Sequence, residues 1–267
     1  MPERSGIIYA SSERFFPSDS VVHGFLGRVG GVGGVSPAPF SSLNLGGRVG
    51  DDPENVRKNK EAVAAAFGFA ADMLVTPRQV HGDGVAVVEG AGDEAVEADG
   101  AVTAVKGLAI GVLTADCVPI LLFDPVKRAV GVVHAGWKGT LKGVASRTVE
   151  AMESGFGSRP GDILAAIGPC IGVCCYRVGE EVASEFERVL GIGTEYVVRE
   201  GGEGGEGKAS SVDLGGANTA KLLSAGLLEE NVTNESACTS CRNDIFFSYR
   251  KDAAVTGRQL SFIMLKE

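Results

Sequence analysis

The stretch TADCVPILLFDPVKRAVGVVHAGWKG, Thr114 to Gly139, constrains the fold more than any other part of the chain. Pro119 to Phe123 and Ala129 to His134 are rich in Val, Ile and Leu and are joined by the turn signal Asp124-Pro125, so they predict neighbouring buried strands, with another at Leu108 to Leu113. Leu141, Val144, Ala145, Thr148, Val149 and Met152 then recur at helical spacing, which predicts a helix over Thr140 to Met152. His134 therefore falls where a strand gives way to a helix, and Cys117 lies just before the first of the paired strands.

The same reading extended along the chain predicts a helix over Glu54 to Phe67, with Val56, Val63 and Phe67 on one face, Asp52 as N-cap and Pro53 in the first turn. MLVTPRQVHG and GVAVVEG read as short β-type runs around His81, followed by the acidic loop EGAGDEAVEADG. Further elements are a strand at Ile163 to Ile167, helices at Glu180 to Leu190 and Asn218 to Leu228, and a terminal strand at Arg258 to Leu265. Glu200 to Lys208 (EGGEGGEGK) reads as a solvated loop. No internal repeat divides the chain, and 267 residues suit one domain of mixed α and β structure.

Charge narrows the choice of partners. With 25 basic against 34 acidic residues and a net charge of −9, the chain lacks the Lys/Arg excess that nucleic-acid binding needs, so no nucleic-acid partner is expected. The first residues, MPERSGIIYASSERFF, show no signal-peptide pattern, and no window approaches the ~18–20 apolar residues of a membrane span, so no membrane association and a cytoplasmic location are expected. Six cysteines in such a chain suggest thiols, metal ligation or packing in place of a disulfide framework.

Three groups of residues bear on chemistry. GFLGRVGGVGG, Gly24 to Gly34, lacks the following helix that a dinucleotide fingerprint requires, so its glycines are expected in a turn, with Arg28 able to approach an anion. His81, Cys117 and His134 supply two imidazoles and a thiolate, sufficient for Zn²⁺ with one position left open. The same residues also suit a Cys nucleophile with a His base and backbone oxyanion donors around Gly136, and packing alone would account for them too. Cys170, Cys174 and Cys175, with the Cys238/Cys241 pair, hint at a four-cysteine zinc site, but only one pair has CxxC spacing, so packing or redox reactivity is the expectation.

Taken in order, HGFLGRVGGVGGVS, SLNLGGRVGDDPENV, RQVHG, ADG, TADCVPILL, VVHAGWKGT, GPCIGVCCYRVG and FFSYRKDAAVTGR closely resemble the laccase-domain family, also described as multicopper polyphenol oxidases or YfiH-type purine nucleoside phosphorylases. The resemblance runs from about His23 to Arg258. It implies a single α+β domain spanning residues 1–267, with mixed β-sheets flanked by helices, and zinc held by His81, Cys117 and His134. The activities it implies are phosphorolysis of adenosine, inosine, guanosine and methylthioadenosine to base and ribose 1-phosphate, and deamination of adenosine to inosine; an older family label is copper-dependent phenol oxidation.

The residues suit these activities unequally. Deamination needs a water activated by the metal and an acid for the leaving amine; Asp116 is the candidate, with orientation of a ligand imidazole as its other possible role. Phosphorolysis needs cations for phosphate, for which Arg28, Arg48 and Lys138 are candidates, and Asn44 is a candidate ribose or phosphate donor. The family pattern often carries His where this chain has Arg48, which keeps a cation but loses proton shuttling. Three histidines cannot build a multicopper cluster, although one Cu ion could replace Zn at the same ligands. The rival expectations are a Cys-dependent amide hydrolase in cell-wall precursor editing and a zinc-stabilised binding protein.

Overall fold

Along the strand Val118–Asp124 (β8), Leu121 and Phe123 enter one apolar cluster while Ile120 and Leu122 enter another, and all four are buried. Side chains alternate across a strand, so a run that is apolar at every position has to be covered on both faces. β8 pairs antiparallel with Ala129–Ala135 (β9), from Val118 opposite Ala135 to Asp124 opposite Ala129. Asp124 closes the turn between them by accepting from the amides of Val126 (2.8 Å) and Lys127 (2.9 Å).

The computed structural model describes residues 1–13, 16–30, 34–91, 96–191, 195–199, 210–235 and 237–267. The loop expected at Glu200 to Lys208 lies outside the described residues. β8 and β9 form the centre of a six-stranded sheet ordered β14 (Val232–Asn234), β10 (Leu164–Ile167), β8, β9, β6 (Gly100–Thr103), β5 (Val85–Val87). A second sheet runs β1 (Glu3–Arg4), β2 (Ile7–Ala10), β3 (Val21–Gly30), β15 (Gln259–Leu265), β7 (Ala109–Thr114), β4 (Leu74–Val75). Both sheets are mixed: β4 joins β7, β5 joins β6 and β14 joins β10 in parallel, while the other neighbours are antiparallel.

Three apolar clusters stack these parts into four layers. Phe25, Ile110, Val112 and Ile263 of one sheet meet Leu121, Phe123, Val130 and Val132 of the other. The outer face of the β3/β15/β7 sheet packs Leu26, Leu260 and Phe262 with Val63 and Phe67 of helix α1 (Pro53–Phe67). The far face of the β8/β9 sheet packs against α3 (Val144–Phe156), α4 (Glu180–Leu190) and α5 (Leu214–Ser224), with a three-stranded sheet β11 (Arg177–Val178), β13 (Ser210–Val212), β12 (Val197–Arg199) beside them. Burial of each Leu, Ile or Phe in these clusters contributes about 1.5–3 kcal/mol. This is the α+β arrangement of mixed sheets flanked by helices that the sequence predicts.

α1 follows its prediction: Asp52 caps it by accepting from the Glu54 amide, Pro53 opens it and Gly68 ends it at φ 79°. Three other expectations need correction. The helix over Thr140 to Met152 is two helices, α2 (Trp137–Lys142) and α3, because Gly143 turns left-handed between them at φ 84°. The helix placed at Asn218 to Leu228 spans Leu214–Ser224, capped by Asp213 accepting from the Gly216 amide. The glycine-rich run is largely strand β3, not a turn, and a Cβ on Gly27 would lie 2.6 Å from the Ile245 carbonyl oxygen. Among the described residues no helix is long and apolar enough to cross a membrane.

Candidate active site

The ends of β6, β8 and β9 bring three distant parts of the chain to one point. Asp99 directly precedes β6, Cys117 directly precedes β8, and His134 lies near the end of β9. His81 comes from the loop between β4 and β5. Ligand atoms of His81, Cys117 and His134 all lie within 4.8 Å of one another, and the two imidazoles meet edge to face with centroids 4.9 Å apart. Gly136 permits this convergence, since a Cβ there would approach His81 Cδ2 at 3.0 Å and Cys117 Sγ at 3.1 Å.

A buried carboxylate that carried no role in the sequence reading holds the cluster. Asp99 is fully buried; its Oδ1 lies 2.7 Å from His134 Nδ1 and accepts the His81 amide at 3.0 Å, while its Oδ2 accepts the amides of Val80 (3.2 Å) and Gly82 (2.6 Å). The carboxylate keeps the proton on Nδ1 and presents Nε2 of His134 to the cluster. His81 sits in the left-handed region at φ 58°, a conformation that the amide bonds around Asp99 impose.

Electrostatics follow from this arrangement. Burial alone would raise the Cys117 thiol, but the adjoining His134 and His81 override it and bring its pKa down to about 6. Burial would likewise depress His134, yet the Cys117 thiolate and Asp99 lift it to about 9. Asp99 is pulled below the usual carboxylate range against its own burial, chiefly by the His134 hydrogen bond and the loop amides. A thiolate with two imidazoles is a donor set that a divalent metal of the zinc class accepts.

The cluster forms part of the lining of a cleft of about 810 Å³. Trp137, Ile171, Tyr176 and Tyr249 give it apolar and aromatic walls, and Arg48, Arg78, Arg250 and Arg258 bring cations to it. Arg258 lies over the Tyr249 ring at 5.8 Å, and among the described residues both of its side-chain hydrogen bonds leave from Nη1, to the carbonyls of Thr256 and Gly257.

The expected site residues separate on this geometry. Arg48 lines the cleft and is exposed, and Asp116 lines it as well. Asp116 is not the carboxylate that orients an imidazole: its Oδ1 accepts the Thr239 hydroxyl (2.6 Å), its Oδ2 accepts the Arg250 amide (2.7 Å), and Asp99 occupies the orienting position. Arg28 does not line the cleft; it donates to the carbonyls of Ser41 and Asn243, pairs with Asp252 at 3.6 Å and stacks over Phe247. Asn44 is fully buried and supports a turn, accepting the amides of Gly46 and Arg258 and donating to the Asp51 carboxylate. Lys138 lies over the Trp137 ring at 5.4 Å, outside the cleft lining. Arg250, Arg258 and Tyr249 fall within FFSYRKDAAVTGR, a motif legible in the sequence, but their meeting with the histidines depends on β15 pairing beside β7.

A family model described as multi-copper polyphenol oxidoreductase laccase matches residues 22–266. A Deinococcus radiodurans protein named purine nucleoside phosphorylase is 43% identical over 251 residues, covering 93% of this chain and 91% of its own length. Purine nucleoside phosphorylase YlmD of Geobacillus stearothermophilus is 37% identical over 256 residues, covering 91% and 92%. The crystal structure of YlmD from that organism superposes with a TM-score of 0.89 at 34% identity, covering 100% of this chain and 98% of that one. The structure of Bacillus licheniformis YfiH gives 0.86 at 34% identity, with 98% and 97% coverage.

Proposed function

Because the chain belongs to the multi-copper polyphenol oxidoreductase laccase family, we propose that it is a zinc-dependent purine nucleoside phosphorylase. It converts adenosine, inosine, guanosine and methylthioadenosine to free base and ribose 1-phosphate, and also deaminates adenosine. The observation that carries this reading is the meeting, in one cleft, of the His81–Cys117–His134 donor set with Arg48 and Arg258 and the aromatic side chains of Tyr176 and Tyr249. Several relatives bear the name of this activity.

His81, Cys117 and His134 would hold the ion. When bound, it supplies Lewis-acid polarisation of substrate or water beside the cleft. The remaining work falls to the protein's own groups. Asp99 fixes the His134 ring, and Tyr176 and Tyr249 offer aromatic surface against which a purine packs. Arg48 and Arg258 offer guanidinium donors that hold the phosphate anion beside the anomeric carbon, which gains positive character as its bond to the purine nitrogen breaks and its bond to a phosphate oxygen forms. Asp116 acts as a positioning residue, tying Thr239 and Arg250 together at the cleft wall. A single Cu ion suits the same thiolate and imidazoles. A multicopper cluster does not, since the third histidine, His23, accepts the Ser12 amide at 3.0 Å instead of joining the other two.

The test is chromatography of adenosine and inosine with the metal-loaded protein, with and without phosphate. Free adenine or hypoxanthine that forms only with phosphate is the expected result. Nucleosides left intact by protein with a filled cleft would refute the phosphorylase reading.

One observation favours a second reading. Cys117, His134 and Asp99 line up as thiol, imidazole and carboxylate, with the thiol brought down to about 6, an arrangement that serves a Cys-dependent amide hydrolase. Inactivation by alkylation of Cys117 in a metal-free protein that hydrolyses an amide would select it over the phosphorylase.

A further inference from the structure

Away from the cleft's histidines, a second group of thiols converges. Cys174 and Cys175 lie in the loop between β10 and β11, and Cys238 and Cys241 lie between β14 and β15. Their four sulfurs all fall within 4.8 Å of one another. Cys241 Sγ stands 3.6 Å from Cys174 Sγ and 3.5 Å from Cys175 Sγ, and all four residues are free thiols. A zinc ion with bonds of about 2.3 Å to four thiolates sets the sulfurs about 3.8 Å apart. The observed spacing is that of one tetrahedral ion and too tight for a cluster of several irons and sulfides.

The sequence expectation of packing does not account for this group. Cys174 and Cys241 are exposed, so burial of apolar sulfur does not bring them together. The adjacent Cys174-Cys175 pair, which departs from CxxC spacing, reaches one point because the chain curls there: the Gly172 carbonyl accepts the amides of both Cys175 (2.9 Å) and Tyr176 (3.0 Å). The Gly172 amide in turn donates to Cys238 Sγ at 3.3 Å, a bond that supports a thiolate. Backbone contacts fix the two loops in register, with Cys170 bridged to Cys238 and the Thr239 amide donating to the Cys170 carbonyl at 3.0 Å.

We propose that Cys174, Cys175, Cys238 and Cys241 bind one divalent ion of the zinc class as a closed, structural site that clamps these two loops together. Each thiol gives up its proton to solvent as the ion enters, and no fifth position is left for substrate. The clamp lies behind the cleft wall. Ile171 and Tyr176 line the cleft from the first loop, and Thr239 of the second loop donates to Asp116.

The test is metal content by elemental mass spectrometry of purified wild type, Cys117→Ala and Cys174→Ser/Cys241→Ser. Cobalt(II) titration of metal-stripped wild type accompanies it, so that the site is read even if the double variant fails to fold. The expected result is loss of about one equivalent in the double variant, its retention in Cys117→Ala, and a thiolate-to-cobalt absorption as strong as four thiolates give. If the cleft itself holds no ion, wild type and Cys117→Ala each carry about one equivalent and the double variant carries none. A wild-type cobalt spectrum showing at most a single thiolate, or native disulfides within these four cysteines, overturns the proposal.

Discussion

His23 and His134 are both withdrawn from solvent, 8% and 3% exposed, yet their environments drive them in opposite directions. On β3, His23 meets the edge of Phe16 with centroids 4.9 Å apart and accepts a backbone amide, so burial acts unopposed and lowers its pKa to about 4. On β9, His134 stands between Asp99 and Cys117, and their negative charge overcomes the same burial to lift it to about 9. Charged partners, and not depth, separate a histidine of the core from a reactive one.

The largest effect expected from this contrast is on activity. Cys117→Ala or His134→Gln should lower phosphorolysis on the order of 10³-fold, whereas His23→Gln, which keeps an acceptor for the Ser12 amide, should stay within a few-fold of wild type at neutral pH. Initial rates on inosine at saturating phosphate check this. A His23→Gln loss as deep as that of His134→Gln would break the distinction.

The contrast also predicts acid sensitivity. The folded His23 holds its proton only below about 4, against 6.5 for the ordinary imidazole. Between these values the unfolded chain binds a proton that the folded chain refuses, so stability is complete above about 6.5, falls as pH drops and levels off below about 4. At about 1.4 kcal/mol per pH unit the loss reaches about 3 kcal/mol. Urea unfolding at several pH values should show this slope in wild type and its reduction in His23→Gln; equal slopes would remove His23 from the account.

A smaller effect belongs to Asp99. Asp99→Asn keeps the size of the side chain but places a donor among the Val80, His81 and Gly82 amides and removes the charge beside His134. Competitive chelation should show metal affinity at the cleft lowered about 10- to 100-fold. Unchanged affinity would mean that the imidazole is held by packing alone.

These roles were legible in the sequence to different depths. His81, Cys117 and His134 could be paired from their rarity and their places at strand ends, and α1, β8 and β9 from periodicity and the Asp124-Pro125 turn. Asp99 stands in the quoted ADG motif but follows an acidic loop, and only the pairing of β6 with β9 carries it to His134. Gly143 within the apolar pattern of the expected helix gave no sign that the chain would break there, because the spacing of apolar residues resumes after it. The glycine-rich run looked like a turn because glycine is common in turns, whereas here close approach of backbone from Ile245 excludes a side chain at Gly27. The four cysteines beyond the cleft were visible as motifs, but their common point is created by the curl at Gly172 and the register of Cys170 with Cys238.

The same lesson separates two arginines that sequence placed together as phosphate candidates. Arg28 is engaged by three carbonyls, Asp252 and the Phe247 ring, so its guanidinium belongs to the scaffold; Arg48 is exposed on the cleft lining. Arg48→Gln should therefore raise KM for phosphate by about fivefold with kcat nearly unchanged, the signature of a binding contact made equally before and during reaction. Arg28→Gln should lower the melting temperature and leave KM for phosphate alone, since it removes donors from the Ser41 and Asn243 carbonyls. Phosphate titrations at fixed inosine, read beside thermal melts of both variants, decide it: a KM effect at Arg28 without one at Arg48 would reverse the assignment and move the anion site from the cleft to the base of β3.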